Sequence, residues 1–403
     1  MDFDLAREQL LSFASTPTTT EVTPLLSARG HVLAQSVTSP MDVPAFANSA
    51  MDGYAICPAD PQIVPMRLSV TQRIAAGQSG ADLDPGQAAR IFTGAPVPPG
   101  TYAVVPQELT ERDGDWVSVA KPVAFGDHVR AQGEDIAIGQ TILAAGKKLK
   151  PADLALAASV GVTQVTTYKP LTVAILMTGD ELVEPGKPLG PGQIYNSNRY
   201  WLHSLLSEIG CQVLDPGIVR DTAEQTRQAL RHASESADVI ITCGGVSVGE
   251  EDHVRAAVAS MGRIDLWQIA MKPGKPLAYG KANNADFIGL PGNPVSAFVT
   301  FVLMGLPFLQ KRMGLPVEAM LSRPMTAGFD WQKPDRRREF IRVKQRISEN
   351  GETVLERWPN QGSGVMSSVA WADGLVDLQP EQTVRAGETV SYLSLTDLLR
   401  GAL

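Results

Sequence analysis

From Leu171 onward the chain alternates near-continuous apolar runs with segments of helical periodicity, and this alternation limits the fold more than any other feature. Leu171 to Met177 is apolar except at Thr172 and ends in Thr178-Gly179-Asp180-Glu181. Runs of that kind are buried on both faces, as in parallel sheets. Ser197 to Ile209 then puts Leu202, Leu205, Leu206 and Ile209 on one helical face. Gln212 to Val219 reads as strand, Thr222 to Ser236 as a polar helix and Asp238 to Thr242 as a buried strand. Glu250 to Met261 is helical, Ile264 to Ala270 extended, and two short strands, Leu277 to Tyr279 and Asp286 to Leu290, flank a turn at Asn283-Asn284. A last helix opens at Pro294. The pattern predicts a doubly wound α/β domain over 169–313, with its ligand beyond the carboxyl ends of the strands.

The remaining residues need other homes, since 403 residues at roughly 150 per domain make about three domains. Phe3 to Phe13 reads as a helix. From Met41 to Gly139, short β-prone runs (Met66 to Val70, Ala103 to Gln107, Trp116 to Ala120) are cut by Gly80, Asp84-Pro85-Gly86 and Pro98-Pro99-Gly100, the mark of an all-β module. Ile142 to Leu149 suggests a hairpin around Ala145-Gly146, and Pro151 to Val160 a helix with Pro151 in its first turn. Packing of that helix on the N-terminal one would make 1–40 and 140–168 a discontinuous linking domain, with 41–139 inserted. After Gly314, alternation through Ile341, Val343 and Ile347, with further runs near Val354, Leu375 and Val390, predicts a C-terminal β domain over 314–403.

Charge and cysteine usage narrow the function. A net charge of −8 disfavours a protein that coats nucleic acid or an anionic membrane, so an anionic ligand needs a local site. Cys57, Cys211 and Cys243 are far apart with no metal-ligand spacing, which fits a reducing cytoplasm, and the N-terminus lacks a signal-peptide pattern. Val295 to Leu309 falls short of the ~20 residues a bilayer needs and reads as a buried helix. The five histidines show no metal-binding spacing.

Three strand ends run into loops suited to close backbone approach. Gly244-Gly245-Val246-Ser247-Val248-Gly249 lies before a helix whose first turn carries Glu250, Glu251 and Asp252; it serves equally as a tight turn or as an anion cradle. In Gly289-Leu290-Pro291-Gly292-Asn293-Pro294-Val295-Ser296, helix-start chemistry accounts for Asn293 and Pro294 but does not require Pro291-Gly292. Thr178-Gly179-Asp180-Glu181 sets two carboxylates at a strand tip, where a solvated pair is the simpler account. Lys272-Pro273-Gly274-Lys275-Pro276 offers two ammonium groups on a stiff turn that could aim at one phosphate. Asn196-Ser197-Asn198 suits an N-cap or a heterocycle. Arg336-Arg337-Arg338 reads as a solvated strand edge.

In order and spacing these segments, with Met51-Asp52-Gly53-Tyr54-Ala55, Arg90-Ile91-Phe92-Thr93-Gly94-Ala95, Gly133-Glu134-Asp135 and Gln361-Gly362-Ser363-Gly364, resemble the molybdopterin molybdenumtransferase family, the MoeA-like enzymes that include the gephyrin E domain. The resemblance covers essentially the whole chain. It implies a MogA-like α/β domain, an inserted β module, a linking domain and a C-terminal β-barrel-like domain. It further implies insertion of molybdate into adenylylated molybdopterin with release of AMP, a divalent cation, usually magnesium, and a homodimer whose cleft joins one subunit's α/β domain to the other's β module. By motif, the functional carboxylates fall on Asp52, Asp135, Glu181, Asp221 and Asp252, with Thr93 nearby. Substrate contacts fall on Thr178, Gly179, Asp180, Asn196, Ser197, Asn198, Gly244, Gly245, Ser247, Gly249, Lys272, Lys275, Pro291, Gly292, Asn293 and Ser296. Carboxylates beside an oxyanion repel it unless they hold a cation or take up protons, which points Glu181 and Asp252 to metal contact and Asp52 and Asp135 to molybdate positioning or proton transfer.

Met177 replaces a hydroxyl residue common in the family, 369–374 varies the C-terminal pattern, and no adenylylating domain is fused, so a separate protein would adenylylate the pterin. Two rival functions remain. An adenylyltransferase would share the α/β fold, but the matches extend beyond it; a non-catalytic scaffold would be expected to lose the acidic set. Residue types do not separate molybdate from tungstate.

Overall fold

The computed structural model describes residues 1–245 and 253–400. Its central sheet runs in the order Gln212–Leu214, Thr172–Thr178, Val239–Cys243, Ala285–Leu290, Pro276–Ala282, Gly262–Gln268. The first four strands are parallel, and the last two form an antiparallel edge. The predicted strand over 212–219 is two pieces, because Asp215-Pro216-Gly217, with Gly217 at φ +86°, breaks it before Ile218–Val219 rejoins the same neighbour. Helix Ala223–Ser236 opens on Thr222, whose hydroxyl accepts from Gln225 N at 3.4 Å.

The longest apolar segment, Pro294–Arg312, has the length and composition of a bilayer span, yet 83% of it is buried inside the protein. Its middle, Phe301–Gly305, is a π turn set just before Pro307. Proline has no N–H and its ring clashes with the carbonyl four residues back, so a wider turn relieves both problems.

Two expectations fail in the N-terminal part. Helix Phe3–Phe13 forms as predicted, capped by Asp2, but it does not pack on helix Pro151–Ser159. Phe3, Ala6 and Leu10 join the α/β core instead; the Phe3 ring lies 5.2 Å from Phe340, and Asp4 accepts both of its hydrogen bonds from Arg338 at 2.9 Å. Helix Pro151–Ser159 covers Ala28, Leu33 and Leu143. Nor is 142–149 a hairpin: a turn does occur at Ala145-Gly146, but Thr141–Leu143 pairs with Val37–Thr38, and Lys148 bridges to Val32. The arms find partners far back in the chain.

Residues 53–119 build a six-stranded sheet in the order Ala103–Pro106, Gly53–Cys57, Gln87–Ile91, Met66–Ile74, Trp116–Val119, Thr110–Asp113. In the C-terminal part Arg338–Ile347, Thr353–Arg357, Arg323–Ala327, Thr389–Ser394 and Gly374–Leu378 pair in a ring, because the last also pairs with the first, and this closes a five-stranded barrel. Closure removes free edges. The barrel joins the α/β part through a parallel pairing of Met271–Lys272 with Arg338 and Glu339. All three cysteines are free thiols, and burial pushes Cys211 and Cys243 up to about 12.

One buried ion cluster anchors the antiparallel edge. Asp286, on Ala285–Leu290, meets Lys281 Nζ at 2.7 Å, Arg312 Nε at 2.9 Å and the Tyr279 hydroxyl at 2.8 Å. Removing the carboxylate leaves the buried Arg312 Nε without its counter-charge. Asp286→Ala is expected to destabilise the α/β part by about 3 kcal/mol, read by calorimetry; a loss below about 1 kcal/mol would mean that water already screens the pair.

Candidate functional site

The parallel register pairs Met177 with Cys243 and Cys243 with Leu290, so the loops that begin at Thr178, Gly244 and Pro291 leave the sheet side by side. Their backbones come close: a Cβ on Gly244 would stand 3.9 Å from both Gly292 Cα and Thr178 O. Gly245 has φ +65°, and a Cβ there would meet Val254 Cγ2 at 2.6 Å. Only glycine fits. The Gly244 N–H, however, donates to Leu290 O at 2.9 Å and fastens the loop to the sheet rather than facing an anion.

The helix after Gly292 starts as expected, with Asn293 at its N-cap and Pro294 at N1, but the Asn293 side chain makes no capping bond. The first N–H of that helix, on Val295, donates to Ser363 O of the C-terminal part at 3.0 Å. A helix N-terminus leaves such donors without partners, and a distant segment supplies this acceptor. Gln361 holds the same segment by accepting from Arg342 N at 2.9 Å and donating to Arg342 O at 3.0 Å. The Arg342 side chain, buried and pushed down to about 10 by that burial, donates to Gly362 O at 3.3 Å and Ser368 Oγ at 3.2 Å.

These segments enclose a cleft of about 470 Å³ walled by Gly244, Gly245, residues 272–276, Pro291, Gly292, Asn293, Ser296, Arg337, Gln361, Gly362 and Ser363. Eight of the residues expected to contact substrate therefore meet there: Gly244, Gly245, Lys272, Lys275, Pro291, Gly292, Asn293 and Ser296. Arg337 was read as a solvated edge, and its place in the wall corrects that reading. Its neighbour Arg338 is likewise no solvated edge, being tied to Asp377 and Asp4. No local pattern marks either arginine, because the pairing of Met271–Lys272 with the barrel puts them there.

Around the cleft, Asn198 Nδ2 donates to Gly292 O at 2.8 Å while its Oδ1 accepts from Trp201 Nε1 at 3.1 Å, so Asn198 braces the wall. Neither Ser197 nor Asn198 is the N-cap; Asn196 is, without a side-chain capping bond. Asn196 is buried, does not line the cleft, and its amide donates to Glu184 at 3.3 Å. Thr178 is buried beneath the loops. Asp180 and Asp221 sit together at adjacent strand tips, with Asp221 N donating to Asp180 Oδ1 at 3.4 Å. Glu181 folds back on Gly179, where a Cβ would lie 2.5 Å from Glu181 Oε2. Ser247, Gly249 and Asp252 lie outside the described residues.

Carboxylate oxygens are the donor type a magnesium ion takes. Among the described residues, though, no three His, Cys, Asp or Glu side chains converge on a metal position. Glu181, Asp180 and Asp221 do not by themselves build that site.

Asp52, just before strand Gly53–Cys57, and Thr93, just after Gln87–Ile91, form no part of the cleft wall, nor does Asp135. Gly53 lets the strand press on the Val105 carbonyl, where a Cβ has no room, and this fixes Asp52 at the strand start. Asp52 Oδ1 accepts from Thr93 N and Thr93 Oγ1, both at 2.8 Å. The backbone bond first, then the hydroxyl, hold the Asp52 pKa below its ordinary value. Asp135 is exposed, its N–H bound to Val43 O at 3.0 Å.

Comparison with known proteins bears on the whole chain. Three family models match in order: the MoeA N-terminal region over 1–161, a probable molybdopterin binding domain over 174–311 and the MoeA C-terminal region over 324–395. A Haemophilus influenzae protein named molybdopterin molybdenumtransferase is 39% identical across 99% of this chain and 100% of its own length. The chain belongs to that family. Molybdopterin molybdenumtransferase 2 of Mycobacterium tuberculosis is 37% identical over 93% of this chain and 94% of its own. A crystal structure of the molybdopterin biosynthesis MoeA protein of Pyrococcus horikoshii superimposes with a TM-score of 0.83 at 27% identity, covering 98% of this chain and 99% of that one.

Since two Thr93 bonds lower the pKa of this MoeA-family carboxylate, Thr93→Val, which removes one of them, should move the Asp52 pKa up toward the ordinary aspartate value. An NMR titration of the Asp52 carboxyl checks this; an unchanged midpoint would leave the backbone bond as the whole cause.

Proposed function

We propose that the protein inserts molybdate into adenylylated molybdopterin, releasing AMP and forming molybdenum cofactor. The observation that carries this reading is the strand-end cleft, where Gly244-Gly245, Pro291-Gly292 and Lys275 meet Arg337 and Ser363. Such a cleft supports an anionic ligand: the glycines admit close backbone approach, while Lys275 and Arg337 supply positive charge in a protein of net charge −8. Its position beyond the carboxyl ends of parallel strands is where open α/β sheets bind ligands. In this reading Ser296 and Asn293 face the substrate, and Asn198 braces the loop that carries Gly292.

The carboxylates divide by environment. Asp52, whose pKa the Thr93 bonds lower, is a weaker base than an ordinary aspartate, which suits positioning of the oxyanion or of a group bound to it better than proton transfer. Asp135 acts beside it. Glu181 and Asp252 are assigned to a divalent cation, magnesium, which would offset negative charge on the pyrophosphate and the oxyanion. Because Asp52, Thr93 and Asp135 stand apart from the cleft, the reading requires a homodimer in which each cleft takes its second set of acidic groups from the partner's inserted module over 41–139. A separate adenylyltransferase supplies the substrate, and the reaction is assigned to the cytoplasm.

AMP release from adenylylated molybdopterin, assayed with magnesium and with or without molybdate, tests the reading. Release that requires molybdate is expected; binding without release would favour a scaffold. The shared site has its own test. Asp52→Ala and Lys275→Ala chains should each be inactive, and mixed in equal amounts they should recover about a quarter of wild-type turnover, since half the dimers are mixed and one cleft in each is intact. No recovery in verified mixed dimers would place both residues in one subunit's site.

A further inference from the structure

Three cations line the cleft, and two of them are already engaged from behind. Lys272 Nζ lies 2.9 Å from Glu339 Oε1 and 3.3 Å from Asp335 Oδ2. Arg337 donates Nε and Nη2 to the two oxygens of Asp335, each at 2.9 Å. Lys275 has no carboxylate partner among the described residues. Both carboxylates come from the C-terminal part, and Glu339 stands in register with Lys272 across the parallel pairing that joins the two.

The burial is lopsided. The Lys272 and Arg337 side chains are 35% and 36% exposed and line the cleft, whereas Asp335 is 20% and Glu339 5% exposed, neither lines it, and Glu339 accepts from Trp331 Nε1 at 3.0 Å with its other oxygen. The cations therefore face the cavity with the carboxylates behind them. Donors remain on both: an ammonium has three N–H groups, and Arg337 keeps Nη1. Burial pulls the Lys272 pKa down, but Glu339 and Asp335 outweigh it and leave the pKa raised. The four groups together carry no net charge, so an oxyanion arriving in the cleft meets Lys275 as the uncompensated cation and must share Lys272 and Arg337 with their carboxylates.

Resting on the anion-binding reading of this cleft, we propose that Asp335 and Glu339 are positioning residues that weaken oxyanion binding by competing for Lys272 and Arg337. They orient the two cations toward the cavity and at the same time keep the anion from binding too tightly to leave. A purely structural clamp between barrel and α/β part would act with the opposite sign, since cutting it would loosen the wall and weaken binding.

The test uses the full chain and molybdate alone as probe, with Kd measured by calorimetry at low salt. Asp335→Asn and Glu339→Gln are each expected to tighten binding about two- to fivefold, the worth of a partly exposed ion pair. The gain from Glu339→Gln should vanish in a Lys272→Met background. In the ligand-free protein, Glu339→Gln should also raise acylation of Lys272 by an amine-reactive reagent, read by mass spectrometry. Variants that bind equally or more weakly than a wild type that does bind would overturn the competition while leaving the cleft's function intact. No saturable binding by wild type or variants would overturn the anion reading, and this proposal with it. Should Glu339→Gln misfold, Asp335→Asn, at a more exposed position, carries the test.

Discussion

The site depends first on the register of three parallel strands. Because Met177, Cys243 and Leu290 end level with one another, three loops spread over more than a hundred residues of chain emerge at one edge, and glycines at 244, 245 and 292 let their backbones nearly touch. A one-residue slip in any strand would exchange the side chains packed against the two layers of core and carry its loop away from the others. Register is thus enforced by the core beneath it, where Ile175, Ile241 and Ile288 are buried.

A second layer of the site comes from the barrel. It attaches where Met271–Lys272 pairs with the start of Arg338–Ile347, and through Ser363, which satisfies an orphan donor at the start of the buried helix. Both attachments lie in the cleft wall. Barrel docking and cleft formation are therefore one event, and two of the three cations in the cleft wall, Lys272 and Arg337, meet Asp335 and Glu339. The buried Arg342, which ties Gly362 to Ser368 without a carboxylate partner among the described residues, is tolerable only because neutral oxygens surround it.

Much of the local structure was legible because local rules governed it. Helix Phe3–Phe13, the buried strands ending at Thr178, Cys243 and Leu290, the start of a helix at Pro294 and the glycine loops all follow from periodicity, caps and turn chemistry. The misses share one cause, which is long-range pairing. Ala145-Gly146 turns the chain, but its arms pair with 32–38; Phe3 packs on Phe340 instead of on the nearer helix; Arg337 looks like a strand-edge charge until strand pairing sets it in a cleft. Asn196-Ser197-Asn198 shows the limit from the other side, because residue type suited both a cap and a ligand, and only the structure shows that Asn196 takes the cap position while Asn198 braces Gly292.

By itself the sequence determined where strands and helices alternate, which loops must be glycine, and, through motifs spread along its length, the family to which the chain belongs. Those are properties of single segments and of their order. Tertiary structure decided which segments touch: that Thr93 donates to Asp52, that Lys272 faces Glu339, and that Ser363 caps the helix at Val295. Each of these joins residues from 41 to 68 positions apart in the chain. The physical reason is that hydrogen bonds and ion pairs act over a few ångströms of space, and closing the chain to bring such partners together is paid for by burial of the whole core rather than by anything encoded beside them.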